Sequence, residues 1–315
     1  NHTPLHKLAG ELSCNHFSGI KKGVRTLLSA ADMTHRLIGT RSMKTITLSL
    51  HKGTDKLIPL WTPAMPKPFR AKTKELITEA QTQKVVYFPS CINQTFGSSE
   101  SNDLPLMNVF SNLLIRAGYE VVYPAKMDKL CCGTIWESKG MPEIADKKTE
   151  ELENALWEAS EGGRFPIVCD QSPCLYRMRK EFKRLRPYET AEFLNKFVAG
   201  KLTFYSKKEI VAIHPTCSTR KMNLTEELVS LASLCSEKVF IPEEVGCCGF
   251  AGDKGFTHPE VNTYALRKLK PQLEKMKIQE GYSNSRTCEI GLTTNSGISY
   301  KSIVYLVDEC TTQNK

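Results

Sequence analysis

The tripeptide Cys131-Cys132-Gly133 recurs as Cys247-Cys248-Gly249, each time a few residues after a short β-like run that ends in proline. Two adjacent cysteines in equivalent places mark a paired metal–thiolate site, and their recurrence restricts the chain to two copies of one unit. The flanking cysteines line up as well. Lys84 to Cys91 (KVVYFPSC) parallels Glu209 to Cys217 (EIVAIHPTC), and Cys174 answers to Cys288. The offsets are 126, 116 and 114 residues, shrinking as loop deletions would shrink them. A period of that size reads as a duplicated domain, since solenoid units run to roughly 20–50 residues. Eight of the 12 cysteines belong to the matched set, while Cys14, Cys169, Cys235 and Cys310 have no partner in the other half.

At 315 residues the chain can hold about two domains with real cores. No apolar run approaches the length of a bilayer-spanning helix, and the first residues are polar rather than a charged-then-apolar leader. The expectation is a soluble, cytoplasmic protein, with contact at the inner membrane face left open. Twelve cysteines without an export signal favour metal or redox use over a disulfide framework.

Charge is unevenly placed. Residues 1–84 hold 14 Lys/Arg and 5 Asp/Glu, whereas the remainder is balanced, so the whole formal excess of +9 lies in the first quarter. This sets the expected domains at 1–83, a basic helical region with a proline-rich strap, then 84–200 and 201–315, one α/β unit each. Gly19 to Leu28 and Ala30 to Leu48 mix apolar and basic residues at helical spacing. Such a helix suits an anionic membrane face, an acidic partner or packing on the rest of the protein. The basic residues form no dense run interleaved with aromatics, so no nucleic acid is expected. Leu60 to Phe69 carries three prolines within six positions and should run extended across the surface as a strap.

Each copy reads as strand, helix, strand, cysteine loop, helix, strand, cysteine, helix. In the first, Val85 to Phe88, Val121 to Tyr123 and Pro166 to Cys169 are strands. Leu104 to Ala117, Lys147 to Ala159 and Ala191 to Val198 are helices, with Met107, Phe110, Leu113 and Leu114 on one stripe. In the second, Ile210 to Ile213 and Val239 to Ile241 are strands. Leu224 to Leu234 and Pro259 to Met276 are helices, and Ser299 to Val307 closes the unit. Alternating strands and helices predict an α/β fold of two tandem, pseudo-two-fold related Rossmann-like units, each with a short parallel sheet. Loops leaving the carboxyl ends of such strands meet in one crevice. Cys91, Cys131, Cys132 and Cys174 should therefore converge there, and Cys217, Cys247, Cys248 and Cys288 likewise. Gly133 and Gly249 let the backbone turn tightly so that neighbouring thiols face one centre.

Soft sulfur donors select zinc, iron or an iron–sulfur cluster. Adjacent cysteines argue against a zinc finger, whose ligands are usually two to four residues apart; zinc in one unit stays open.

The pattern of Cys, Cys-Cys-Gly and Cys, given twice, resembles the cysteine-rich CCG domain pair. That pair occurs in the B subunit of heterodisulfide reductase, in the iron–sulfur subunits of glycolate oxidase and anaerobic glycerol-3-phosphate dehydrogenase, and at the C-terminus of bacterial FAD/iron–sulfur D-lactate dehydrogenases. The last is the nearest in kind. The first copy is similar in Tyr87 to Asn93 (YFPSCIN), Cys131 to Gly140 (CCGTIWESKG) and Asp170 to Cys174 (DQSPC). The second is similar in His214 to Ser218 (HPTCS), Gly246 to Gly255 (GCCGFAGDKG) with His258-Pro259-Glu260, and Ser285 to Leu292 (SRTCEIGL). The strap around Leu60 to Pro66 is similar to the linker of those enzymes.

The resemblance implies the electron-accepting, iron–sulfur part of a larger flavoprotein that oxidises D-lactate or a related 2-hydroxy acid and passes electrons to an acceptor such as a quinone. In that family a flavin domain and a ferredoxin-like domain precede the pair. No G-x-G-x-x-G follows a strand here and no C-x-x-C-x-x-C run exists. FAD is thus expected on a separate domain or subunit, and this chain as a component or fragment inactive alone, with no catalytic residue of its own. Heterodisulfide-type copies end in C-x-x-C, whereas Cys169 and Cys174 are spaced C-x-x-x-x-C and Cys288 stands alone. One cluster or metal per copy follows.

His214, Lys254 and His258 complete the candidate set. His214, beside Cys217, reads either as a core histidine or as a donor that tunes a cluster. Lys254 and His258 follow the second tripeptide and either line the crevice or sit in a solvated loop. Two other functions compete: thiol–disulfide chemistry at Cys131-Cys132 or Cys247-Cys248, which needs low-pKa thiols, and a zinc-stabilised interaction module.

Overall fold

A computed structural model describes residues 4–56, 58–70, 83–98 and 103–312. The stretch 71–82 of the expected basic region lies outside the described residues. The N-terminal region is two helices, α1 (Pro4–Asn15) and α2 (Phe17–Gly53), the second broken at Gly39, whose φ of 76° interrupts the helical backbone.

The first unit runs β1 (Gln83–Phe88), α3 (Leu106–Arg116), β2 (Tyr119–Val122), α4 (Thr134–Glu137), α5 (Pro142–Ala159), β3 (Ile167–Cys169), α6 (Ser172–Glu181), β4 (Tyr188–Glu189) and α7 (Thr190–Phe193). The second runs β5 (Lys208–Ile213), α8 (Cys217–Lys221), α9 (Thr225–Cys235), β6 (Ser236–Phe240), α10 (Lys254–Thr257), α11 (Pro259–Ala265), α12 (Leu269–Lys275), β7 (Glu280–Ser283), α13 (Arg286–Ser296), β8 (Ser299–Ser302) and α14 (Ile303–Thr311). Each unit holds one four-stranded sheet, ordered β2-β1-β3-β4 and β6-β5-β7-β8, and every pair is parallel. The two tandem Rossmann-like units expected from the repeat are present, preceded by helix.

Side-chain alternation on the central strands builds three cores. Val85 and Tyr87 of β1 and Val211 and Ile213 of β5 point into a shared core where α3, α9 and α14 meet, joining the units. Val86 and Phe88 point the other way, onto α5 and α6, and Ala212 points onto α12 and α13. A strand apolar on both faces is what a parallel sheet covered on both sides requires.

Several elements differ from the sequence reading. Cys174 and Cys288 stand not in loops but as the third residue of α6 and α13. The strands β4 and β7 were not anticipated; in β7, Gly281 leaves room for the Tyr300 ring, which a Cβ would meet at 2.4 Å. Pro259 to Met276 is two helices, and Ser299 to Val307 begins as β8 before α14 starts. The strap does not simply cross the surface. Trp61, Ala64, Pro66 and Pro68 are buried, Leu60 N–H donates to Phe256 O (3.3 Å), and Phe69 N–H donates to Thr95 O (3.0 Å). An apolar strap tied to both units removes more surface from water than one laid over polar groups.

Candidate metal centre

A sheet of order 2-1-3-4 reverses its direction of winding between its first and third strands, and that switch point is where the carboxyl-end loops part to leave a crevice. Cys91 follows β1 and Cys174 follows β3, so they flank the switch point of the first sheet; Cys131 and Cys132 come in from the loop after β2. Cys217, Cys288 and the Cys247-Cys248 pair repeat this arrangement around β5, β7 and β6.

The sulfurs form two chains. In the first, Cys91 Sγ lies 3.9 Å from Cys131 Sγ, Cys131 is hydrogen-bonded to Cys132, and Cys132 to Cys174. In the second, Cys217 is bonded to Cys247, Cys247 to Cys248, and Cys248 Sγ lies 2.9 Å from Cys288 Sγ. Thiol-to-thiolate hydrogen bonds then sort the protons. Cys132, bonded by Cys131 and then Cys174, is held well below the ordinary thiol range, and those two are pushed up. In the second chain Cys247 is the one lowered, bonded by Cys217 and then Cys248, while both of these are raised. In each chain the sulfur that is lowered is an inner one, flanked by two thiols that are raised.

Both turns need glycine. Gly133 has φ 89°, and a Cβ there would lie 2.3 Å from Ala145 O; Gly249 has φ 70°, and its Cβ would lie 2.8 Å from Ala265 Cβ. The turns also aim backbone donors at sulfur: Gly133 N–H to Cys131 Sγ (3.5 Å) and Gly249 N–H to Cys247 Sγ (3.3 Å). Each loop is anchored from the following helices. Thr149 Oγ1 and Arg177 Nε donate to Cys132 O at 2.8 and 2.9 Å, and Asn262 Nδ2 donates to Cys248 O. Glu137 and Asp146 pair with the buried Arg177 at 2.7 and 2.6 Å.

The two sites face each other across a buried polar seam. Gln171 Nε2 donates to Ser285 Oγ (3.0 Å), its Oε1 accepts from Arg286 N–H (3.0 Å), and Ser172 N–H donates to Asn284 O (3.1 Å). Gln171 and Ser285 are equivalent in the repeat, so the pseudo-two-fold axis passes through this contact. Buried Asp170 accepts from Tyr87 Oη (2.6 Å) and Ser90 N–H (2.8 Å), tying β3 to the loop that carries Cys91; burial pushes its carboxyl up. At the rim, Lys139 beyond the first tripeptide pairs with Asp253 beyond the second at 2.8 Å.

His214 is 1% exposed, and among the described residues its Nε2 has no hydrogen-bond partner. Burial lowers its pKa to about 4, so the ring is neutral, and it lies within electrostatic reach of Cys247. Lys254 and His258 are exposed, and His258 Nδ1 bonds locally to Thr257 Oγ1 (2.9 Å). The sequence reading missed Arg177, Asp170 and Lys21. Lys21 lies one helical turn after Phe17 on the buried face of α2, a spacing that sets it apart from the exposed basic residues around it.

The sequence profile of the cysteine-rich (CCG) domain matches residues 85–179 and again 211–293. The chain belongs to the cysteine-rich CCG domain family. No curated protein matches it. Among solved structures it is similar to an aspartate racemase homologue from Pyrococcus horikoshii OT3, at 10% identity and a TM-score of 0.30, covering 72% of this chain and 96% of that one.

Family and sulfur chemistry together suggest a metal- or iron–sulfur-binding role. Among the described residues no three His, Cys, Asp or Glu groups stand at the geometry of a single ion. The donor set nonetheless fits a multi-sulfur centre: four thiols in a chain, glycine-opened turns and the buried imidazole of His214 within electrostatic reach of Cys247. No helix of the described residues is long and apolar enough to cross a membrane.

Proposed function

We propose that the chain is the electron-transfer portion of an FAD-linked 2-hydroxy acid dehydrogenase of D-lactate type, holding one iron–sulfur centre in each unit. The observation that carries this reading is the gathering of eight matched cysteines into two four-sulfur chains, one at the carboxyl end of each sheet. Iron–sulfur centres supply one-electron transfer when bound by such thiolates, at potentials set by burial, charge and hydrogen bonds to sulfur. Cys91, Cys131, Cys132 and Cys174 would hold the first and Cys217, Cys247, Cys248 and Cys288 the second. Gly133 and Gly249 N–H would donate to ligand sulfurs, and His214 would present a neutral imidazole to the second site.

Flavin chemistry belongs in this reading to a separate FAD-binding and ferredoxin-like domain or subunit. The exposed apolar residues Leu27, Met33 and Leu37 of α2, interspersed with Arg25, Arg36 and Arg41, support a docking surface for that portion or for the membrane face where a quinone acceptor resides.

A second reading, thiol–disulfide exchange, is favoured by one feature: Cys247 is exposed and its thiol is lowered beside Cys217 and Cys248. Iron, acid-labile sulfide and zinc analysis of protein purified without oxygen, together with its visible absorption, separates the readings. Iron with matching sulfide supports the proposal; zinc alone points to an interaction module, and absence of both metals points to thiol chemistry.

A further inference from the structure

Lys21 is a buried lysine, 5% exposed, in a helix whose other basic residues mostly face solvent. Its ammonium donates to Gln94 Oε1 at 2.7 Å, a neutral amide. Gln94 belongs to the loop of the first site: its N–H donates to Ser90 O (2.9 Å) and its Nε2 to Pro89 O (2.7 Å), one and two residues before Cys91. On its other side the ammonium lies over the Phe17 ring (5.4 Å to the centroid), which packs at 5.2 Å on Trp136, three residues beyond Gly133. Lys21 is thus wedged between the Cys91 loop and the Cys131-Cys132 loop; burial pulls its pKa down, and Cys91, then Asp128 and Cys131, oppose that shift.

A buried ammonium is costly unless a negative group answers it. Gln94 offers none, and Asp128 is exposed. Asp128 answers part of the charge, and the rest falls to Cys91 and Cys131 once they are held as metal-bound thiolates.

We propose that Lys21 is the counter-charge of the first cysteine site, a positioning residue that favours the more negative, reduced state of the centre held by Cys91, Cys131, Cys132 and Cys174. This rests on the iron–sulfur reading above. Adding one electron to that centre adds one negative charge beside the ammonium, so Lys21 raises its potential. The N-terminal region therefore does more than cover the first site; it supplies part of its electrostatics.

The test uses the whole chain carrying Cys217→Ser and Cys247→Ser, so that the first centre is the one observed. Lys21→Met removes charge and hydrogen bond, whereas Lys21→Gln keeps a hydrogen-bonding partner for Gln94 without charge. Both should favour the oxidised state by about tenfold, a shift of about 59 mV to more negative potential for a one-electron couple. Iron content and thermal unfolding are read alongside. Equal downward shifts in both variants establish the charge effect; a wild-type potential in Lys21→Gln, or in both, overturns it. Should the protein hold no iron at all, the iron–sulfur reading fails by itself. The charge argument is then tested with Co2+ added to the reduced, metal-free protein, since a tetrathiolate–Co2+ complex is anionic. Both variants should bind it about tenfold more weakly, and unchanged binding overturns the proposal.

Discussion

The two cysteine sites share a fold, a sequence pattern and a turn, yet they are not equivalent. In the first, Cys131, Cys132 and Cys174 are buried and Cys91 is half-buried, because Cys14 and Phe17 of the N-terminal helices pack against Trp136 and close the site over. In the second, Cys217 and Cys247 are exposed, and only Cys248 and Cys288 are enclosed. The thiol that its neighbours lower also differs: it is the second cysteine of the pair in the first site and the first cysteine in the second. The first unit adds a fifth sulfur, Cys169, at the end of β3, where the repeat has Ser283 in the second. Duplication therefore delivered one ligand pattern into two environments. If each site holds an iron–sulfur centre as proposed, a buried one beside Lys21 and an open one would differ in potential, since burial and nearby charge set it.

The sharpest way to break this comparison is to remove one site at a time. Cys132→Ser and Cys247→Ser should each cost about half of the bound iron, because each quartet holds its own centre; loss of all iron from either variant would mean one shared centre. Next in size are the glycine turns. Gly133→Ala should destabilise the protein by about 3 kcal/mol and Gly249→Ala by about 2, because both positions have positive φ and a Cβ would meet a backbone carbonyl oxygen at each, at 2.3 Å in the first and 2.9 Å in the second. Urea unfolding of the metal-free proteins measures both, and equal, negligible effects would deny that the turns are constrained.

Burial gives a third expectation. In metal-free, reduced protein, Cys247, exposed and lowered, should be alkylated at least roughly tenfold faster than the buried Cys131 and Cys132, as peptide mass spectrometry would record. Similar rates at both sites would erase the distinction drawn between them.

The smallest effect concerns the seam between the sites. Burial raises the Glu189 carboxyl to about 7, although it accepts from Ala191 N–H (2.6 Å) and Asn284 Nδ2 (2.9 Å). A carboxyl that is harder to ionise folded than unfolded binds more protons in the native state. Its contribution is therefore favourable at low pH and is lost as pH rises from about 4.5 to about 7. Glu189→Gln should flatten that part of the stability–pH curve and gain up to about 3 kcal/mol at pH 8. A loss of stability at pH 8 would show the ionised carboxylate to be favourable there.

Much of this molecule was legible in its sequence. The repeated tripeptides and flanking cysteines pointed to duplication, and the short apolar runs ending at proline pointed to parallel strands; β1 and β5 lie where those runs are. Helices α6 and α13 were not legible, because Ser172 to Glu181 and Arg286 to Ser296 carry charged and small residues whose apolar stripe is only a few positions wide. The consequence was geometric: Cys174 and Cys288 sit in the first turns of helices, whose regular backbone fixes the position of each sulfur against its Cys-Cys pair. Lys21 was hidden for the opposite reason, one buried cation among many exposed ones, and its role becomes visible only when α2 is laid against the Cys91 loop.

The account stands on two inorganic centres per chain that accept electrons. Stepwise reduction of anaerobically purified protein, followed by electron paramagnetic resonance and thiol counting, tests it most directly. The account predicts one paramagnetic signal for each cysteine quartet, one of which survives in Cys132→Ser, with no new free thiols. A reduced protein that stays silent while its free thiols rise in pairs would contradict it and identify the cysteines as disulfide chemistry.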